Sequence, residues 1–287
     1  MNFDAFVEQV RENGWNVFGA EVWERGRLLH EFGDTRDTLR EIYSITKSVL
    51  SVAVGMAWDR GLIDLERPAL HYLPRTCVTR MFASQRAAFE KITLRRLLTM
   101  SVQDLPMQAE GPHWVDYALA CPLVRPEEAA FHYSNISAYL VSVALTEALG
   151  EDLGGFIERQ ILAPLDITRY AYARCPEGYF DGATGMKLTV HDVGKLGRLL
   201  CAGGLWKGER LLSEAYIRQA TAAQVPCREG GYGYLIWREY GGFSFHGKWK
   251  QRCFVLPDRE RVVTLLSYIE DPCPELTDSV VRHLLLE

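Results

Sequence analysis

The stretch from Tyr43 to Gly61, YSITKSVLSVAVGMAWDRG, decides how the rest of the chain is read. Ile45, Val49, Val52, Ala53, Met56 and Ala57 recur at helical spacing, and Gly61 stands where a helix-ending glycine is expected. The spacing predicts a mostly buried helix that opens at Ser44. Two readings of its mouth stand side by side. Either Ser44 caps the helix and Lys47 points into water, or the two are a nucleophile and its base. One helical turn places Lys47 on nearly the same face as Ser44. A serine hydroxyl is a poor nucleophile at neutral pH, and a lysine serves as its base only where burial or a neighbouring cation lowers the amine's pKa. An apolar helix supplies that burial.

Outward from this helix, MNFDAFVEQVRENG (1–14) alternates apolar and charged residues as a first helix does, and WNVFGAEVWERGRLLHEFGD (15–34) reads as two antiparallel strands about Glu24-Arg25-Gly26. From His71 to Arg174 the segments ITLRRLLTM, ISAYLVSVALTEALG and LGGFIERQIL are helical, divided by Pro106, Pro112, Pro122, Pro126 and Pro164. LTVHDVGKLGRLLCAGG (188–204) carries a variant capping box at Thr189 and Asp192 and predicts a helix of about four turns, at about 3.6 residues per turn. The last quarter, with YGYLIWREY, FSFHG, RCFVLPD and RVVTLLSYI, is aromatic and β-branched and reads as strands, before PELTDSVVRHLLLE closes the chain as a helix. The fold class expected is α+β. Residues 1–70 and 186–287 form a discontinuous lobe with an antiparallel sheet flanked by helices, and residues 71–185 form a mostly helical lobe.

Composition narrows the function classes. The 287 residues are 48% hydrophobic and 24% charged, as in an ordinary globular protein, and a net charge of -5 gives no basic face for a nucleic-acid backbone. The first residues show neither a basic n-region nor an apolar core of a leader, and the apolar runs are broken by Asp59, Arg60 and Glu147, so no membrane span is expected. Seven cysteines without a C-x-x-C pair point to a reducing, cytoplasmic setting, and Cys77, Cys201 and Cys253 read as buried fillers. His191-Asp192 lacks the convergent partners of a metal site, and helix capping accounts for Asp192.

Two further elements bear on Ser44 and Lys47. In FHYSNISAYL (131–140), Tyr133 and Asn135 are two apart ahead of a predicted helix, so on an extended loop they face one way. A phenol near a lysine shares its proton, and an amide offers a donor and an acceptor to an acyl substrate. Taken alone, Tyr133 is equally a core aromatic and Asn135 a helix cap. In FSFHGKWK (243–250), a strand edge presents backbone N–H groups beside which His246 and Lys248 add donors or charge, although an ordinary solvated strand reads the same way.

Together YSITKSV, HYSN and the glycine-bearing basic strand resemble the serine β-lactamase and penicillin-binding protein superfamily. The Tyr-x-Asn form is similar to the class C β-lactamase branch, with its esterases, D-amino-acid peptidases and amide hydrolases. GLIDLERPALHYLP, RLLTMS, ILAPLDI, GATGMKLTVHDVGKLGRLLCAGG and GYGYLIW extend the resemblance over nearly the whole chain. It implies a β-lactamase/transpeptidase-like fold and a serine hydrolase acting on a small amide or ester, without metal or organic cofactor. Ser44 would be acylated, Lys47 would be its proton partner and Tyr133 the general base and acid. Asn135, His246, Lys248 and Trp249 would contact substrate, with oxyanion N–H groups at Ser44 and Trp249. A binding protein on the same fold that forms an inert adduct or none is the alternative. Lys248 departs from the family's glycine, Lys250 adds bulk nearby, and Trp114, Tyr232, Tyr234, Trp237 and Trp249 are candidate pocket walls.

Overall fold

The computed structural model describes residues 1–228, 230–270 and 272–286. Its main sheet has eight strands in the order Arg27–Gly33, Val17–Glu24, Arg261–Ser267, Gln251–Leu256, Gly242–Gly247, Trp237–Glu239, Gly230–Tyr232, Val225–Cys227. Every registered pair is antiparallel, and Val22 opposite Val263 joins the N-terminal hairpin to the last strand. Both ends of the sequence therefore build one sheet.

The alternation along RVVTLLS explains why helices cover both faces. Val263 and Leu265 join Phe6 and Val10 of the first helix, Phe3–Glu12, and Leu276 and Val280 of the helix Pro274–Val280. Val262 and Leu266 join Val193, Leu196 and Leu200 of the helix Val190–Cys201 on the opposite face. A strand covered on both faces reads as a continuous apolar run, as this one does. Glu287, the last residue of the expected closing helix, lies outside the described residues.

The helix Thr46–Asp59 is buried from Thr46 through Ala57, as its apolar sequence requires. Gly61, at φ +68°, ends it: the Gly61 N–H donates to Trp58 O and the Leu62 N–H to Ala57 O, the two bonds of a left-handed glycine terminus. Between Arg75 and Ile157 short helices gather about the helix Asn135–Leu149, whose residues share one apolar core with Val49 and Leu50.

One expectation is corrected here. YGYLIWREY is not a single strand, because Gly233 to Ile236 separate Gly230–Tyr232 from Trp237–Glu239. The carbonyls of Tyr234 and Leu235 accept hydrogen bonds from Ser51 Oγ (2.6 Å) and Ser48 Oγ (3.3 Å), and the Leu235 N–H donates to Leu98 O. Buried backbone groups taken up by a helix are lost to the strand ladder.

The strand Gly242–Gly247 pairs with Trp237–Glu239 only as far as Ser244, so among the described residues Phe245 to Gly247 have no strand partner on that side. At its end, a Cβ on Gly247 would sit 2.7 Å from the Ile42 carbonyl oxygen. Gln251 Nε2 donates to Glu41 O at 2.9 Å, tying the next strand to the same segment just ahead of Ser44. Gly247→Ala is therefore expected to cost about 1–3 kcal/mol in denaturant unfolding and to lower reactivity at Ser44, since backbone must move. A variant with unchanged stability would refute this close packing.

Candidate active site

Ser44 lies in a single tight turn, Tyr43–Ile45, that leads into the buried helix. Tyr43 takes a left-handed conformation, φ +46°, which costs a non-glycine residue roughly 1–2 kcal/mol. Neighbours hold it there. The Ile42 N–H donates to Met186 O, and the Met186 N–H donates to Thr46 Oγ1. Strain held by surrounding structure is common where a side chain must be presented.

Lys47 is 1% exposed, yet its amine is fully engaged. Nζ donates to Ser44 Oγ at 2.9 Å, to Asn135 Oδ1 at 2.7 Å and to the Ala183 carbonyl at 2.8 Å. Burial pulls its pKa down to about 7, with the Asp181 carboxylate pulling the other way. A buried ammonium is costly, so near pH 7 neutral and charged forms are both populated. The acceptors come from three separate segments.

Asn135 is free for this contact because Ser134, not Asn135, caps the helix. Ser134 Oγ accepts from the Ile136 N–H at 3.1 Å and donates to Pro106 O at 2.7 Å. Tyr133, just ahead of the cap, places its ring centroid 5.0 Å from Lys47 Nζ. Burial pushes its phenol up to about 12, while the nearby Ser44 hydroxyl and the charge of Arg252 act in the opposite direction. At neutral pH it is protonated. Ser44, Lys47 and Asn135 thus form one hydrogen-bonded group, with the Tyr133 ring beside the amine.

His246 stands one ring further away. Trp237 lies between, stacked on Tyr133 at 5.9 Å and on His246 at 4.8 Å. The imidazole donates from Nε2 to Glu239 Oε1 at 2.7 Å, and Ser244 Oγ donates to the same oxygen. Burial, aided by Arg252, pushes His246 down to about 4 against the pull of Glu239. Of the two expectations for it, donor or charge, a neutral imidazole leaves the donor.

Lys248 and Trp249 belong to the turn after Gly247 rather than to the strand. The Lys248 amine sits 4.3 Å from the Trp249 ring centroid, and that ring stacks on Tyr268 at 4.5 Å. The Trp249 carbonyl accepts from Ser267 Oγ at 2.7 Å. Trp249 and Lys250 both have left-handed φ, +64° and +65°. The turn is thus fastened to Ser267 and Tyr268, separately from the contacts of Lys47.

The sequence reading missed Asp181, in FDGATG. Asp181 Oδ1 accepts from the Ala183 N–H at 3.1 Å, orienting the residue whose carbonyl holds Lys47. Burial raises its own pKa, with Ala183, Lys47 and Thr184 opposing. An Asp followed by Gly, with a second Gly four residues on, carries the signal of an Asx turn. Asp181 and Asn135 line a cavity of about 180 Å³ together with Gln108, Trp114, Tyr139 and Thr184. That is below the roughly 300 Å³ where pockets for drug-sized ligands begin. Of the candidate walls, Trp114 lines this cavity and Tyr232 meets Tyr133 edge-on, while Tyr234 packs against Tyr216 and Arg95. Burial raises the Cys253 thiol to about 12 and Cys201 to about 11, consistent with unreactive fillers.

Comparison with known proteins places this geometry in context. A class C beta-lactamase from Rhodobacter sphaeroides superposes with a TM-score of 0.76 at 17% identity, covering 98% of each chain. The octameric penicillin-binding protein homologue from Pyrococcus abyssi gives 0.71 at 19% identity, over 100% of this chain and 78% of that one. These likenesses establish a shared fold. In sequence, the mitochondrial serine beta-lactamase-like protein of Bos taurus is 32% identical over 93 residues, 31% of this chain, and the match spans 16% of that relative's length. The beta-lactamase family model matches residues 6–284, nearly the whole chain and all of the residues gathered around Lys47. The chain belongs to the beta-lactamase family.

Proposed function

We propose that this protein is a serine hydrolase that cleaves a small amide or ester through an acyl-enzyme on Ser44. The observation that carries the reading is the buried Lys47 amine, 2.9 Å from Ser44 Oγ, with a pKa near 7. In its neutral form Lys47 takes the Ser44 proton as Oγ attacks the substrate carbonyl carbon, forming a tetrahedral adduct. The strand end from Phe245 to Gly247 and the Ser44 N–H are the candidate donors to its oxyanion. Collapse breaks the acyl–oxygen or acyl–nitrogen bond. Tyr133, protonated at rest and beside Lys47, is suited to pass a proton to the leaving group. Water then attacks the ester on Ser44, its proton returning through the same groups. The size of the cavity beside Asn135 suits a small acyl group.

Hydrolysis of p-nitrophenyl acetate tests this directly. Ser44→Ala should abolish turnover, and Tyr133→Phe should lower kcat by about 10²–10⁴ with the circular dichroism unchanged, the usual worth of positioned proton transfer. Full activity in Tyr133→Phe would refute its role. An adduct on Ser44 that never clears would support a binding protein instead.

The field of Asp181 gives a second test. Its carboxylate raises the Lys47 pKa, so Asp181→Asn should let burial lower it further. More neutral amine would then exist at lower pH, and the acid limb of kcat/KM should move below its wild-type position near pH 7. An unmoved limb, or one shifted upward, would contradict the coupling.

A further inference from the structure

A second concave surface lies at the far end of the sheet. The guanidinium of Arg198, on the helix Val190–Cys201, stacks 3.6 Å from the Trp23 ring centroid and 5.1 Å from that of Trp206. No hydrogen bond or ion pair to a described residue engages it, and its Nε is buried without an acceptor. This is unusual, since an arginine carries five N–H donors and, when half-buried, ordinarily meets a carboxylate. The carboxylate of Glu21 contributes to its field but is already committed. Glu21 accepts from Trp23 Nε1 at 2.6 Å and from His191 Nδ1 at 3.1 Å, and pairs with Arg36 at 3.5 Å. Trp206 Nε1 is likewise buried without an acceptor.

These side chains line a groove of about 490 Å³, whose apolar walls include Leu205, Pro257 and Val262. On its rim Lys207 is paired with Asp166, and Glu260 is the acidic residue. The groove is distinct from the Ser44 site. Val262 lies in it, whereas Ser267, five residues along the same strand, bonds the Trp249 turn near Ser44. At about 3.4 Å per residue, that separation is roughly 17 Å.

We propose that this groove binds a small carboxylate carried on an aromatic or branched apolar body, with the anion on Arg198 and the body against Trp23, Trp206 and Leu205. Two indole faces fix the guanidinium plane, so little rotamer freedom is lost when a carboxylate docks on its edge. The surrounding apolar walls strengthen the pairing by excluding water and favour ligands with an apolar body over simple inorganic anions.

Isothermal titration calorimetry of the intact protein with 3-phenylpropanoate, and with its uncharged isostere 3-phenylpropanamide, tests the proposal. The acid should bind at least about tenfold more tightly than the amide, a difference of about 1.4 kcal/mol. Ser44→Ala should bind it as the wild type does, which separates this groove from the catalytic site. Arg198→Gln should weaken binding at least about tenfold, the same 1.4 kcal/mol step. Leu205 is 41% exposed, so Leu205→Asp should leave the fold intact while repelling the anion, and should also weaken binding. The proposal is overturned if the acid gives no saturable heat, if acid and amide bind equally, if Leu205→Asp has no effect, or if Ser44→Ala abolishes binding.

Discussion

A lysine amine placed inside an apolar helix is the constraint on which the site depends. Isolated, the charged form would be prohibitively costly there and the neutral form would waste its donors. Lys47 is held between these limits by three acceptors, Ser44 Oγ, Asn135 Oδ1 and the Ala183 carbonyl, and by the nearby carboxylate of Asp181. The resulting pKa near 7 leaves part of the amine neutral at neutral pH, the form the proposed reaction requires beside Ser44. Remove the burial and Lys47 is an ordinary ammonium; remove the acceptors and it is a packing defect.

Each acceptor depends on a different part of the fold. Asn135 reaches Lys47 because Ser134 has taken the cap, and Ala183 because Asp181 has turned its backbone. Ser44 is presented by a turn with Tyr43 in a left-handed conformation, braced by Met186, by Gln251 and by the glycine that lets the strand end approach Ile42. Left-handed non-glycine residues recur at Trp249 and Lys250, in the turn beyond that strand. Local strain of this kind persists only where surrounding packing determines the backbone, and here the sheet edge and the buried helix do so. The aromatic stack from Tyr133 through Trp237 to His246 extends the same bracing, with Glu239 and Ser244 fixing its last member.

Much of this was legible in the residues. The apolar spacing after Ser44 gave the buried helix, the paired strand patterns at both ends gave the sheet, and S-x-x-K with Y-x-N pointed to the four side chains that meet around Lys47. What escaped was set by tertiary contact. Nothing local says that Ser48 and Ser51 will take the carbonyls of Leu235 and Tyr234 and so interrupt YGYLIWREY. Nor does the pattern FSFHG say that His246 will be neutral, since that follows from burial and from the charge of Arg252 on the neighbouring strand. Asp181 lay within a stretch whose glycines were visible, but its importance appears only when Ala183 is seen against Lys47, 136 positions away in sequence.

The pH dependence of Ser44 modification by a fluorophosphonate, followed by intact-protein mass spectrometry, probes the Ser44–Lys47 pair without knowledge of the natural substrate. A single adduct, absent in Ser44→Ala, should form with a rate that rises through an inflection near pH 7 as Lys47 loses its proton, then levels off. A rate independent of pH between 5 and 9, at about two pH units either side of that inflection, or an adduct that persists in Ser44→Ala, would contradict a serine activated by a buried lysine.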